Sequence, residues 1–223
     1  MSAPTDERAR MEKVKGAIAK FIFWAAYPVL RLIYPMKIHW TDKENTKEAL
    51  KGKCVIFSNH LGYVEGLFMT RLFHLYRVWT FVGRDWYEKK PINWLFRNLP
   101  YISIERKGGM DTSWLDQAAG VMEKGGSMYI LPEGHTSPIG QMDEFKPGFL
   151  VLAKQTDATL VPMYISKKIE LFKLTHLYIG SPLHPDLHEK GRPSQVLKKY
   201  CEECRSAVEE LGKKDMERKD LRQ

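Results

Sequence analysis

The stretch VIFSNHLGYVEG, residues 55–66, indicates the fold and the chemistry of this chain together. Its first four residues are small, β-branched or aromatic, which is typical of a buried strand. The strand ends in polar residues, so it delivers Asn59 and His60 to the rim of a sheet. Five positions after the histidine comes Glu65.

His60 and Glu65 are suited to proton transfer if they meet. An imidazole moves protons near neutral pH, and a neighbouring carboxylate fixes its tautomer and stabilises its charged form. On a regular helix a step of five residues turns by about 140°, so the two groups would point apart. They meet only if the chain turns between them, which Gly62 allows. A purely structural pair is the alternative.

A second short apolar run, SMYIL at 127–131, ends in Pro132, Glu133 and Gly134, followed by His135 and Thr136. Proline and glycine mark the end of a strand and a turn. A loop here is expected to present Glu133 and free backbone N–H groups to a cleft. An ordinary polar turn is the alternative.

Taken together, the two stretches resemble the lysophospholipid acyltransferases (the 1-acylglycerol-3-phosphate acyltransferase family). Asn59, His60 and Glu65 match the family's Asn-His-x4-Asp block, and LPEG at 131–134 matches its Phe-Pro-Glu-Gly block. Four more blocks occur in the family's order: FVGR at 81–84, YISIER at 101–106, FKPG at 145–148 and LVPM at 160–163. The ordered set makes the signal specific.

The resemblance implies direct acyl transfer from a thioester, acyl-CoA or acyl carrier protein, to the hydroxyl of a lipid acceptor. His60 would be the general base and Glu65 would orient it. The residues that it assigns to substrate binding are Asn59, Arg84, Arg106, Glu133, Gly134, His135 and Thr136. Backbone N–H groups of the turn at Glu133 and Gly134 are candidates to stabilise the oxyanion. No cofactor beyond the thioester co-substrate is expected.

Two departures from the family's pattern matter, one at Glu65 and one at the pair His135 and Thr136. Glu65 replaces an aspartate and adds one methylene, but it accepts the same N–H hydrogen bond. His135 and Thr136 stand where Thr and Arg are usual, and Thr136 cannot grip a phosphate as arginine does. Either Arg84, Arg106 or a nearby lysine takes over, or the acceptor is not lysophosphatidic acid.

Two rival functions remain open. A relative that binds lipid or recruits partners without catalysis would also carry these departures. A metal hydrolase built from His60, Glu65, Glu133 and His135 is less favoured, because their spacing matches no zinc motif, and no metal site is expected.

Charge and hydropathy favour a membrane surface. The formal net charge of +8 attracts anionic lipid headgroups or the phosphates of a thioester donor, while no nucleic-acid-binding motif is present. Residues 14–36 form an apolar segment, and on a helix Lys20 and Arg31 fall on one face together with Lys13, which precedes it. We expect this helix to lie in the interface rather than to span the bilayer. A core helix packed on the domain is the other alternative. The predicted location is the cytoplasmic face of a membrane, peripheral or monotopic.

The rest of the chain predicts one α/β domain. Residues 1–40 are assigned to membrane association and 41–223 to the acyltransferase domain. Strands and helices alternate, which predicts a mostly parallel central sheet flanked by helices. The strands are expected at 54–58, 78–82, 102–104, 127–131, 159–165 and 173–179, and the helices at 64–75, 92–98, 112–124, 147–155 and 194–211.

Cys201 and Cys204 form a Cys-x-x-Cys pair within the apolar stripe of the last helix. Packing in the core is therefore favoured over redox chemistry or zinc. The last dozen residues, 212–223, are charged and are expected to fray.

Overall fold

The computed structural model describes residues 3–62, 64–73, 77–91, 93–105, 112–136 and 142–221, with side chains from residue 13 onward except at positions 24, 27 and 71. Seven strands form one sheet: β1 (Met36–Trp40), β2 (Cys54–Ser58), β3 (Val78–Gly83), β4 (Tyr101–Ile104), β5 (Ser127–Ile130), β6 (Thr159–Ile165) and β7 (Thr175–Ile179). Their order is β1-β7-β6-β2-β5-β3-β4. Every neighbouring pair is parallel except β6 and β7, so the predicted mostly parallel sheet is confirmed.

Eight helices accompany these strands in the described residues: α1 (Ala3–Ile33), α2 (Lys43–Ala49), α3 (Glu65–Leu72), α4 (Arg84–Tyr87), α5 (Asn93–Asn98), α6 (Ser113–Glu123), α7 (Gly148–Thr156) and α8 (Pro193–Asp220). The predicted ends of two helices, at Leu75 and at Ile92, lie outside the described residues. Parallel strands need crossover connections, and these helices supply them.

Alternate side chains of the strands feed two cores, one on each face of the sheet. Val55 and Phe57 pack with residues of α6, α7 and α8. Cys54 and Ile56 pack with residues of α3 and with the end of α1. Because β2 is covered on both faces, all five of its residues are buried, as the unbroken apolar run predicts.

The carboxyl ends of β2, β5, β3, β4 and β6 share one edge of the sheet. Ligands of open α/β sheets bind at that edge. Asn59, Arg84 and Glu133 all lie just beyond it.

Helix α1 ends before Pro35, and β1 follows at once. Because β1 pairs with β7, the last five residues of the segment 1–40 belong to the sheet. By length and composition alone, Lys13–Ile33 is long and apolar enough to cross a membrane, with a mean hydropathy of 1.4 and only 6% of the segment buried. Whether it crosses or lies in the interface stays a prediction.

The prediction that the chain frays after residue 211 is wrong. Helix α8 continues to Asp220, and Asp215 is only 1% exposed. Its carboxylate accepts hydrogen bonds from Tyr178 Oη at 3.0 Å and Arg218 Nη2 at 2.8 Å. The charged segment therefore stays helical because one buried charge is paired with the sheet and with its own helix.

Cys201 and Cys204 are free thiols in the core beside Tyr200 and Val208, which confirms the packing role. Burial raises the pKa of Cys201 to about 11. Such a thiol stays protonated and unreactive at neutral pH.

Candidate active site

The predicted contact between His60 and Glu65 is confirmed. His60 Nδ1 lies 2.7 Å from Glu65 Oε2. The chain turns between them, because His60 follows β2 whereas Glu65 is the first residue of α3. The intervening Gly62 lies close to this pair, since a Cβ on it would be in ordinary van der Waals contact with Glu65 Oε1 at 3.8 Å.

The carboxylate of Glu65 is held on both oxygens. While Oε2 meets the imidazole, Oε1 accepts the backbone N–H of Leu61 at 2.8 Å. Glu65 is fully buried, and its position in the first turn of α3 favours a negative charge. A carboxylate only accepts hydrogen bonds, so His60 Nδ1 carries the hydrogen and Nε2 keeps its lone pair.

His60 opens onto an apolar cavity of about 320 Å³. Within the described residues the walls come from α3, β3, α4, α5 and β4 and are almost all apolar or aromatic. They include Leu67, Phe81, Val82, Trp86, Leu95, Phe96, Leu99 and Tyr101. The side chain of His60 is 13% exposed, and Nε2 has no hydrogen-bond partner in the part of the chain that the structure describes. A basic nitrogen therefore stands at the wall of a cavity suited to a hydrocarbon chain.

Asn59 differs from its expected role in substrate binding. Its side chain is buried, with Nδ2 donating to the Ile165 carbonyl at 3.0 Å and Oδ1 accepting the Ile165 N–H at 2.8 Å. The amide thus continues the ladder between β2 and β6 past the last strand residue. This clamp fixes where His60 leaves the sheet.

Glu133 is buried rather than presented to the cleft. Its Oε1 accepts the backbone N–H of His60 at 2.7 Å, and its Oε2 accepts that of Asp143 at 3.0 Å. The expectation of a cleft-facing carboxylate is wrong, because both oxygens of Glu133 accept hydrogen bonds from backbone N–H groups inside the protein. Glu133 positions the histidine through the main chain.

Tyr129 lies beneath this group, its hydroxyl 2.7 Å from Ser58 Oγ. Burial, together with the negative charges of Glu65 and Glu133, holds the pKa of Tyr129 well above its usual value. The phenol therefore stays neutral, and with Ser58 it forms a buried polar layer under the site.

The turn after β5 does not present its groups to the cleft in the way that the sequence predicted. Gly134 has a φ of +73°, and its N–H donates to the Leu131 carbonyl at 3.0 Å, so that donor is not free for an oxyanion. His135 is half-exposed and bonds Asp143 Oδ2 at 2.9 Å. Thr136 is partly buried and is not among the described residues that line the cavity of His60.

Arg84 begins α4 just beyond β3, as predicted from its strand. Its Nη1 lies 3.2 Å from Glu105 Oε2, and its side chain is 56% exposed. Glu105 lines a second cavity of about 210 Å³, which shares Phe81 and Leu131 with the first. Arg106, the next candidate, lies outside the described residues.

Two lysines near the site were not among the predicted binding residues. A Cβ on Gly134 would lie 2.9 Å from Lys146 Nζ, and a Cβ on Gly62 would lie 3.4 Å from Lys168 Cγ. Lys146 falls in the FKPG block, so its position in that block could have pointed to it. Lys168 follows β6 in a loop, where no local pattern marks it.

No group of three or more His, Cys, Asp or Glu side chains suited to a metal ion occurs among the residues that the structure describes. The four side chains of the metal-hydrolase alternative have other partners: His60 and Glu65 bond each other, Glu133 bonds backbone N–H groups, and His135 bonds Asp143.

Known proteins resemble this chain in sequence and in fold. The sequence model of a protein family described as Acyltransferase matches residues 37–166. A chloroplastic 1-acyl-sn-glycerol-3-phosphate acyltransferase of Arabidopsis thaliana is 25% identical over 187 residues, which are 80% of this chain and 50% of that protein. The chain therefore spans about half the length of this curated relative.

The fold is similar to that of the crystal structure of a 1-acyl-sn-glycerophosphate acyltransferase, PlsC, from Thermotoga maritima. The TM-score is 0.58 at 18% identity, over 96% of this chain and 84% of that one. At this identity the similarity concerns the fold alone.

Proposed function

The chain belongs to the acyltransferase family, and from that premise we propose that it transfers a fatty acyl group from a thioester to the hydroxyl of a lysophospholipid or related lipid. One observation carries the proposal. The imidazole of His60, oriented by a buried carboxylate 2.7 Å away, opens onto an apolar cavity of about 320 Å³.

The proposed step is direct transfer. His60 Nε2 takes the proton of the acceptor hydroxyl as the oxygen attacks the thioester carbonyl carbon. The tetrahedral oxyanion collapses, the C–S bond breaks, and the departing thiolate receives the proton from the imidazolium. The products are an ester and a thiol. Glu65 stabilises the imidazolium between the two proton transfers, and general base catalysis of this kind contributes about 10²- to 10⁴-fold.

The apolar cavity suits the acyl chain. Its walls offer mainly hydrocarbon and aromatic surface. Thr80 also lines the cavity, and its hydroxyl donates a hydrogen bond to the Tyr129 carbonyl at 2.9 Å. A hydrocarbon chain that enters this space buries its apolar surface away from water. The reacting carbonyl would then stop beside His60 at the wall.

The phosphates of the substrates need cations at the mouth of the site. The side chains of Lys146 and Lys168 lie beside Gly134 and Gly62, respectively. Arg84 is partly engaged by Glu105, and Arg106 stays a prediction from the sequence. The family usually has an arginine at the position of Thr136, where it would bind a phosphate. We assign that role to Lys146, since its ammonium group approaches the same turn.

The donor would be acyl-CoA or acyl carrier protein, with no cofactor besides this co-substrate. The acceptor would reach the site from the cytoplasmic face of a membrane, on which the chain rests through α1. The net charge of +8 and the exposed apolar helix support this placement.

The test is an assay of the purified protein with a radiolabelled acyl-CoA and a panel of lysophospholipids in detergent. We expect a radiolabelled diacyl product from at least one acceptor, and its loss in His60→Ala. Near-normal turnover by that variant would overturn the base assignment. Lipid binding without any product across the panel would favour the non-catalytic alternative.

His184→Ala is the matched control. This exposed histidine lies beside the start of β6, at the edge of the sheet opposite His60. The substitution removes an imidazole without changing the site, and the activity of the variant should equal that of the unmodified protein.

A further inference from the structure

The loop between β6 and β7, residues 166–174, carries three apolar side chains in water. Leu171 is 57% exposed, Phe172 is 74% exposed and Leu174 is 43% exposed. They lie within four consecutive residues of one another, at the edge of the sheet that holds His60. Clustered apolar exposure of this kind marks an interaction surface.

The backbone conformation of this loop holds Phe172 at its exposed tip. That residue has a φ of +58°, which bulky side chains rarely adopt, and its N–H donates to the Ile33 carbonyl at 2.6 Å. Ile169, three positions earlier, is 5% exposed and packs in the core. The loop is therefore anchored at its base, while Phe172 is exposed at its tip.

The hydrogen bond to Ile33 joins the loop to the end of α1. There Val29 is 56% exposed and Leu32 is 79% exposed. These two residues lie four positions and one position before Ile33, which holds Phe172, and we call these two and the three loop residues together the α1–loop surface. Further exposed apolar residues continue it along the helix: Val14, Ile18, Phe21 and Ile22.

The charges around this surface favour an anionic partner. Residues 166–174 contain three lysines and one glutamate, and the glutamate is already paired with Lys173 at 2.7 Å. Lys167 and Lys168 are exposed, as is Arg31 on α1. Apolar tips flanked by basic residues fit the boundary between acyl chains and anionic headgroups.

We propose that the β6–β7 loop is a second membrane anchor, which inserts Leu171, Phe172 and Leu174 into the bilayer beside α1. The stem of Lys168, in the same loop, packs against Gly62 at the wall of the His60 cavity. Docking by this loop therefore sets the mouth of the site against the lipid surface. The inference rests on the membrane placement under Proposed function, not on the transfer reaction.

The test is a fluorescent label at residue 172. The three native cysteines are buried, so a thiol-reactive, environment-sensitive dye labels a full-length Phe172→Cys variant selectively. On vesicles of phosphatidylcholine with phosphatidylglycerol, we expect a blue shift and quenching by lipids that carry a nitroxide on the acyl chain. Free glycerol phosphate, which offers the headgroup without a bilayer, should cause neither change.

The same dye on Gln155→Cys is the control, because Gln155 is exposed near the end of α7, at the opposite edge of the sheet. It should stay in water while sedimentation shows the protein bound. A label at 172 that also stays in water on bound protein would overturn the inference, as would a protein that does not bind these vesicles. A blue shift without lipid that grows with protein concentration would assign the surface to a second copy and would overturn it too.

A neutral substitution measures the contribution of the loop. Phe172→Asn suits the positive φ and adds no charge, yet it should lower vesicle partitioning by about three- to tenfold because one aromatic ring no longer inserts. Phe172→Leu should retain most of the binding. Equal partitioning by Phe172→Asn and the unmodified protein would contradict the proposal, whatever the outcome of the transfer assay in detergent.

Discussion

Two buried glutamates, Glu65 and Glu133, surround the same histidine and have different roles. Glu65 bonds the ring at Nδ1, whereas Glu133 bonds the backbone N–H of the same residue at 2.7 Å. The first selects the tautomer that leaves Nε2 basic, and the second fixes where the ring starts. In the proposed mechanism both contacts matter, but only Glu65 bonds the ring on which the positive charge develops.

Glu65→Gln should lower kcat by about 10²- to 10³-fold and leave KM nearly unchanged. The amide keeps the shape of the carboxylate but not the charge that stabilises the imidazolium. One of its two ends must also turn an NH2 group toward the ring or toward the Leu61 N–H, both of which are donors. Steady-state kinetics with the labelled thioester measure the effect.

Glu65→Asp is the matched variant, because it keeps the charge and shortens the reach by one methylene. We expect it to retain more activity than Glu65→Gln. If the two variants were equally impaired, geometry alone would explain the defect and the electrostatic role of Glu65 would be contradicted.

Glu133→Gln should lower the free energy of unfolding by about 1–3 kcal/mol, because one of two buried N–H groups then faces an amide donor. Activity should fall with it as His60 shifts. Chemical denaturation and the transfer assay measure the two effects. Asp143→Ala is the control, since it removes an exposed side chain but keeps the backbone N–H that Glu133 holds. A stable, fully active Glu133→Gln would refute the positioning role.

Among the helices and strands, those predicted from unbroken apolar runs agree best with the structure. The bounds of β2 and β6 agree with the sequence, because strands buried on both faces are nearly unbroken apolar segments. The edge strand β1 was missed, since MKIHW is only partly buried and alternates weakly. The final turns of α8 were missed because their stability comes from long-range pairing of Asp215 with Tyr178, which no local pattern shows.

Asp215→Asn tests that pairing, and we expect a loss of about 1–3 kcal/mol in the free energy of unfolding at pH 7. The uncharged amide leaves Arg218 and Lys219 without their buried partner. Urea denaturation measures the change. Glu217→Gln, which removes an exposed charge two residues away, should change stability by less than about 0.5 kcal/mol.

The same carboxylate predicts a pH dependence. Burial opposes its ionisation, but hydrogen bonds from Lys219, Arg218 and Tyr178 outweigh burial and hold the pKa of Asp215 below its usual 3.8. A pKa that is lower in the folded state contributes stability above pH 3.8, and that contribution is lost as pH falls through the folded value. The difference between the unmodified protein and Asp215→Asn should therefore shrink in acid. A constant difference from pH 7 to pH 3 would contradict this account.

At the scale of the whole molecule, the sequence predicted which residues follow strands but not which way they face. The meeting of His60 and Glu65 followed from a strand, a glycine turn and a helix start, all of which are local. Glu133 and Asn59 turned inward because they satisfy backbone groups of distant segments, at Asp143 and Ile165. The cavity arises where five elements enclose a space, so no single segment could have predicted its walls.

That cavity yields a prediction about substrate size. Leu67, on α3, lines it, and Leu67→Trp should fill part of the space. We expect kcat/KM to fall for long acyl chains while short chains are spared, because each methylene excluded from an apolar pocket costs about 1–3 kcal/mol. Leu72→Phe, on the same helix but facing a different cavity, is the control and should leave the chain-length profile unchanged. Equal losses for short and long thioesters in Leu67→Trp would show that the acyl chain binds elsewhere, because a filled pocket must discriminate by length.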